Sequence, residues 1–141
     1  MIQSNFSEMQ SAITDNDPDR LKMYFQRCAE ALKNSSDQSA KIFYSKICNN
    51  LMLEGLFKLS KLDESMRWFQ MNFLERDCRP NLMTFEILID GLLNHWKESD
   101  AQKIQNLMIN EYFIKPGIGV YNLWISYHLK NHQLDKAKDL I

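Results

Sequence analysis

His128 and His132 stand four residues apart, a spacing that puts two imidazoles on one helix face where they could share a metal ion. A structural zinc site takes four ligands, and no cluster of Cys, His or carboxylate completes this pair. His132 also falls in a predicted turn between helices, so no metal is expected. Cys28, Cys48 and Cys78 lie 20 and 30 positions apart with no C-x-x-C pair, and an odd number cannot complete a disulfide framework. Buried, inert thiols in a reducing compartment are the expectation. Asp63 and Glu64 sit where a helix is predicted to begin, and there carboxylates answer the positive end of the helix dipole. The aromatics Tyr24, Phe25, Trp68, Phe69, Phe85, Tyr121 and Trp124 mostly follow helical spacing and read as core. There is no glycine-rich phosphate loop and no nucleophile elbow, so neither an enzyme nor a cofactor is expected.

The elements that hold these residues follow from composition. The 141 residues fit one domain, and they contain only four glycines and three prolines. So few turn formers leave little room for a sandwich or barrel and favour long helices. Hydrophobic residues make up 45% and charged residues 25%, which is wrong for a disordered chain. The net charge of -1 excludes nucleic-acid binding by bulk positive charge and leaves room only for a local basic stripe. No apolar run approaches a membrane span, and the opening MIQSNFSEMQ carries no secretory or mitochondrial import signal, with no Arg before Arg20.

Self-similarity supplies the organisation. Residues 46–81 slide by 36 onto 82–117, and again onto 118–141. Gly55 then lands on Gly91 and Pro80 on Pro116. Leu53, Ile89 and Ile125 form one apolar column, and Leu51, Ile87 and Leu123 another. Ser65, Ala101 and Ala137 form a column of small residues, and Trp68, Ile104 and Leu140 a column of large ones. Each unit reads as a helix pair. In the middle unit Phe85, Leu88, Ile89 and Leu92 give one apolar face, and Pro80 and Pro116 stand just ahead of a helix. The second helix of each unit is predicted to start near Asp63, Ser99 or Asp135, with Ser99 and Gln102 spelling a capping box.

Residues 1–38 read as a less regular helix pair whose second helix starts at Asp17-Pro18, followed by a loop at Lys33 to Ser39. The expected fold is all-α, a solenoid of about four stacked helix–turn–helix units: 1–38, 39–81, 82–117 and a truncated 118–141. Leu140-Ile141 would lie inside a helix, from which the natural chain or assembly is expected to continue.

The segments MTFEILIDGL (Met83 to Leu92), IKP (Ile114 to Pro116), VYNLWISY (Val120 to Tyr127) and LDKAKDL (Leu134 to Leu140) resemble the pentatricopeptide repeat, a helix–turn–helix motif of about 35 residues. The resemblance is good over 79–141, fair over 46–78 and poor before that. It implies a right-handed superhelix that binds single-stranded RNA, mostly in mitochondria or chloroplasts, and mitochondrial localisation is the expectation it carries. Such repeats read one base each through two polar side chains. Carried over, the first role falls on Asn50, Glu86 and Asn122, which share one column, and the second on Asn81 and Gly117. An Asn amide both donates and accepts at a base edge, whereas Gly117 offers no side chain.

Met83 occupies the place of an aliphatic wedge between bases, and Gly119 holds that place in the next unit. Lys58 and Lys130 share a column at the end of a first helix, where the family's lysine faces phosphate and where a lysine also offsets the helix dipole. The middle member of that column is Asn94. Two functions follow as expectations. One is single-stranded RNA binding in organellar RNA stability, processing or translation. The alternative is a helical-repeat scaffold that docks a protein partner in its groove or at its uncapped C-terminal end.

Overall fold

A computed structural model describes residues 2–74, 78–131 and 139. Among them the chain is all-α. The helices are α1 (Ile2–Thr14), α2 (Pro18–Lys33), α3 (Gln38–Lys58), α4 (Leu62–Phe69), α5 (Leu82–Asn94), α6 (Glu98–Asn110) and α7 (Ile118–Lys130), and α4 runs on into a π-helical turn, Gln70–Leu74. By its internal contacts the chain divides into two compact units, Met1–Pro80 and Asn81–Ile141. Asp135, Ala137, Leu140 and Ile141, which close the last expected helix pair, lie outside the described residues.

In the first unit α1 packs on α2, α2 on α3, and α3 on α4. Their apolar faces enclose Met9, Ala12, Leu21, Cys28, Leu32, Cys48, Met52 and Leu56. Phe25 meets Trp68 edge to face at 4.8 Å. The Trp68 indole Nε1 donates to Asn49 Oδ1 at 3.1 Å, so this large side chain fills the helix interface without leaving its polar atom unpaired. Gly55 passes close to Leu21 and Ile13, and a β-carbon there would stand 3.0 Å from Ile13 Cγ1 and nearer still to Leu21 Cδ2. Cys28 and Cys48 are buried side by side, and burial pushes both thiols above the ordinary range. Cys78 is half-buried; burial raises its thiol too, against a smaller lowering by Lys46 and by its hydrogen bond from Asn49.

In the second unit α5 packs on α6 and α7. The expected face is realised, with Phe85, Leu88, Ile89 and Leu92 all buried. Trp124 Nε1 donates to Gln105 Oε1 at 2.6 Å, solving on α6 and α7 the problem Trp68 solves in the first unit. Of the aromatics assigned to the core, Tyr121 is exposed, at an open hollow that it lines with Glu98, Gln102 and Gln105 of α6.

Three turns end a helix in the same way. Asn16, Ser60 and Trp96 adopt left-handed backbone at φ 57°, 60° and 61°. The following N–H then reaches back five residues, from Asp17 to the Ala12 carbonyl, Lys61 to Leu56 and Lys97 to Leu92, at 2.9 Å each. Ser60 and Trp96 are one repeat period apart.

This stop corrects the expected helix starts. α4 and α6 begin at Leu62 and Glu98, with Lys61 and Lys97 at the N-cap and no side-chain cap bond. Asp63 and Ser99 therefore lie inside the first turn, where they answer the dipole but cannot cap. Gln102 donates to Asn106 Oδ1 at 3.2 Å instead of completing a box with Ser99. The capping box stands elsewhere. Asn81 caps α5 by accepting from the Thr84 N–H at 3.0 Å, while Thr84 Oγ1 accepts from the Asn81 N–H at 3.1 Å. Asp17 caps α2 as expected, its side chain accepting from the Arg20 N–H at 3.1 Å.

Candidate nucleic-acid interface

Helix period places Met83, Glu86, Asp90 and Asn94 on one stripe of α5, and Gly119, Asn122, Ser126 and Lys130 on the matching stripe of α7, each a repeat period from its partner. α5 and α7 are neighbours in the second unit, so the two stripes run side by side. Met83 is 60% exposed, Asp90, Asn94, Asn122, Ser126 and Lys130 are exposed, and Glu86 is half-buried. This is one polar surface with an apolar wedge at one end and a cation at the other.

Local contacts set what each side chain can do. Asn94 Nδ2 donates to Asp90 Oδ1 at 3.2 Å. The Glu86 carboxylate lies over Gly119, where a β-carbon would stand 2.7 Å from Oε1. Gly119 thus makes room for Glu86, and the place of the second wedge is taken by a carboxylate. Near the C-terminal ends of α5 and α7 lies a hollow of about 120 Å³, lined by Asp90, Asn94, Trp96, Ser126, Tyr127 and Lys130 among others.

The remaining expected residues are not members of these two stripes. Asn81 is the α5 N-cap, so its side-chain oxygen is already engaged by Thr84. Gly117 is the N-cap of α7 and makes no side-chain bond there. Asn50 and Lys58 belong to α3 in the first unit. Lys58 is exposed at the helix end and ion-paired with Glu54 at 2.8 Å. Asn50 is only 4% exposed, so the side chain expected to read a base is buried. Residues 48–53 of α3 are buried without a break, so the middle of this helix is enclosed all round.

His128 is a core histidine, its ring stacked at 5.8 Å on Trp124, and His132 lies outside the described residues. Among the described residues no three His, Cys, Asp or Glu side chains gather to hold a metal ion, and no helix is long and apolar enough to cross a membrane.

No protein-family model matches the sequence. The chain is similar to a putative pentatricopeptide repeat-containing protein of Arabidopsis thaliana. Identity is 26% over 99 residues, which are 70% of this chain, and the chain spans 19% of that relative's length. The likeness agrees with the 36-residue rhythm and with the recurring helix stop at Ser60 and Trp96, and describes a pentatricopeptide-like helical repeat.

The sequence reading missed Asp90, Ser126 and Trp96 as members of the surface. The signal was there for two of them: Asp90 and Ser126 form a 36-residue column in step with Glu86 and Asn122. Trp96 has no such signal, since its place is decided by the turn geometry.

Proposed function

We propose that the chain binds single-stranded RNA on the paired stripes of α5 and α7, by contact alone and without catalysis. The observation that carries this reading is the two-stripe surface itself: Met83, Glu86 and Asn122 toward one end, and Lys130 at the other, in repeat register. In it Met83 wedges against a base, Asn122 reads a base edge by donating and accepting, and Lys130 holds a phosphate. On the first unit, exposed Lys58 offers a phosphate contact of its own. Asn81 reads a second base with its side-chain amide. Glu86 repels phosphate and serves as an acceptor toward a base amine. From the resemblance of the repeats we infer that this binding serves organellar, mitochondrial RNA stability, processing or translation.

Fluorescence anisotropy of a labelled single-stranded RNA, titrated with protein at several salt concentrations, tests the reading. Affinity should fall with salt, and Lys130→Ala should flatten the slope by about 0.7. Asn122→Ala should weaken binding without changing that slope. Absence of binding in the full-length protein at up to roughly 50 μM, weaker than typical non-specific affinities, would refute it. Fractionation of cells tests the compartment.

A second reading, a scaffold that docks a protein, rests on Phe113 and Ile118, which are 83% and 80% exposed beside the start of α7. It predicts that Phe113→Ser abolishes a protein contact and leaves RNA affinity unchanged.

A further inference from the structure

The stop between α5 and α6 places a bulky aromatic, Trp96, in left-handed backbone, which among the described aromatics Phe113 shares at φ 54°. Left-handed backbone is tolerated by asparagine and by small side chains, as at Asn16 and Ser60, but a bulky aromatic adopts it at a penalty. Burial would repay that penalty, yet Trp96 is 59% exposed. One side of its indole meets the Tyr127 ring at 5.8 Å, and Tyr127 is itself buried. The remaining surface of the indole is open to solvent beside the hollow that holds Lys130, Asp90, Asn94 and Ser126.

We infer that Trp96 is a stacking platform for one unpaired nucleobase, whose phosphate is held by Lys130 and whose edge meets Asp90, Asn94 and Ser126. This rests on the RNA reading above and adds a separate subsite to it. A flat π surface, a cation and hydrogen-bonding groups of both kinds around a small hollow are what a nucleotide pairs with group by group. An apolar protein anchor in the same hollow would leave Lys130 and Asp90 desolvated and unmatched. Asn122 and Lys130 are eight residues apart, about 12 Å along the helix, so a phosphate at Lys130 can send its base away from the reading edge and over Trp96. The Asp90 carboxylate accepts from any base edge that presents an N–H, the exocyclic amines of adenine, cytosine and guanine and the N3–H of uracil alike.

The experiment compares wild type with Trp96→Asn and Trp96→Phe in anisotropy titrations against short oligo(C) and oligo(U) RNAs, with urea unfolding of each protein in parallel. Asparagine suits the left-handed backbone, so Trp96→Asn should unfold at the same or a higher urea concentration while losing about tenfold in affinity for oligo(C). Trp96→Phe keeps a stacking face and should recover most of that loss. Wild type should bind both RNAs, and Trp96→Asn should weaken both. If wild type binds RNA and Trp96→Asn binds it equally, the subsite is refuted while the α5/α7 reading stands. If Trp96→Asn loses stability and affinity together, Trp96 is structural and the subsite again falls. If wild type binds neither RNA, both proposals fall.

Discussion

Replacing Asn81 with alanine removes the acceptor that the Thr84 N–H reaches at 3.0 Å and the Thr84 hydroxyl at 2.8 Å. Loss of an N-cap costs about 1 kcal/mol. Thr84 is fully buried, and a buried hydroxyl that loses its acceptor adds about 1 kcal/mol more. A total near 2 kcal/mol lowers the melting temperature of a domain this size by roughly 6–8 °C. Asn81→Ser retains a capping oxygen and should stay within about 0.5 kcal/mol of wild type. Urea unfolding followed by circular dichroism measures both variants, and RNA titration of the same samples separates the two roles given to this side chain. If Asn81 only caps, Asn81→Ser keeps both stability and RNA affinity. If it also reads a base, that variant keeps stability and loses affinity. An Asn81→Ala protein that unfolds within about 0.5 kcal/mol of wild type would show that the cap is not holding the start of α5.

Gly55→Ala should destabilise the first unit by about 1 kcal/mol in the same urea assay, because crowding of Leu21 and Ile13 outweighs the roughly 1 kcal/mol that alanine gains over glycine inside a helix. Trp124→Phe should cost about 1 kcal/mol by stranding the Gln105 acceptor, whereas Trp124→Phe combined with Gln105→Leu should recover part of it. The buried thiols of Cys28 and Cys48 have raised folded pKa values relative to the ordinary 9.0, so their contribution is intact below that pH. As pH rises past it the unfolded thiols ionise and the folded ones do not, and stability should fall by up to about 1.4 kcal/mol per unit for each thiol; Cys48→Ala should flatten this alkaline loss. A thiol reagent should modify half-buried Cys78 before Cys28 and Cys48, which react only on unfolding.

The helical architecture and the buried face of α5 were legible because apolar residues every three or four positions leave one answer: Phe85, Leu88, Ile89 and Leu92 must face inward. The small residues Ser65 and Ala101 were legible for the same reason, since only a small side chain fits where two helices cross closely. The starts of α4 and α6 were legible to within a residue, but their caps were misread. Ser99 and Gln102 spell a capping box, but a box needs an extended residue at its first position, and the stop at Trp96 sets Lys97 there instead. Conversely Asn81 and Thr84 form a real box that was hidden behind the base-reading role given to Asn81. The burial of Asn50 was illegible from its column. Glu86 and Asn122 sit on 13-residue helices, whereas α3 has 21 residues and an uninterrupted buried stretch at that level.

The shared stop at Ser60 and Trp96 bears on how such a chain can change length. Adding one residue inside a helix rotates everything beyond it by about 100° and turns an inward side chain outward. Splicing between two left-handed hinge points joins ends of matching backbone geometry, so gain or loss of a whole 36-residue segment leaves each flanking helix in phase. Growth in whole modules is therefore the route that leaves the interior undisturbed, and a binding strip assembled this way lengthens by whole sites.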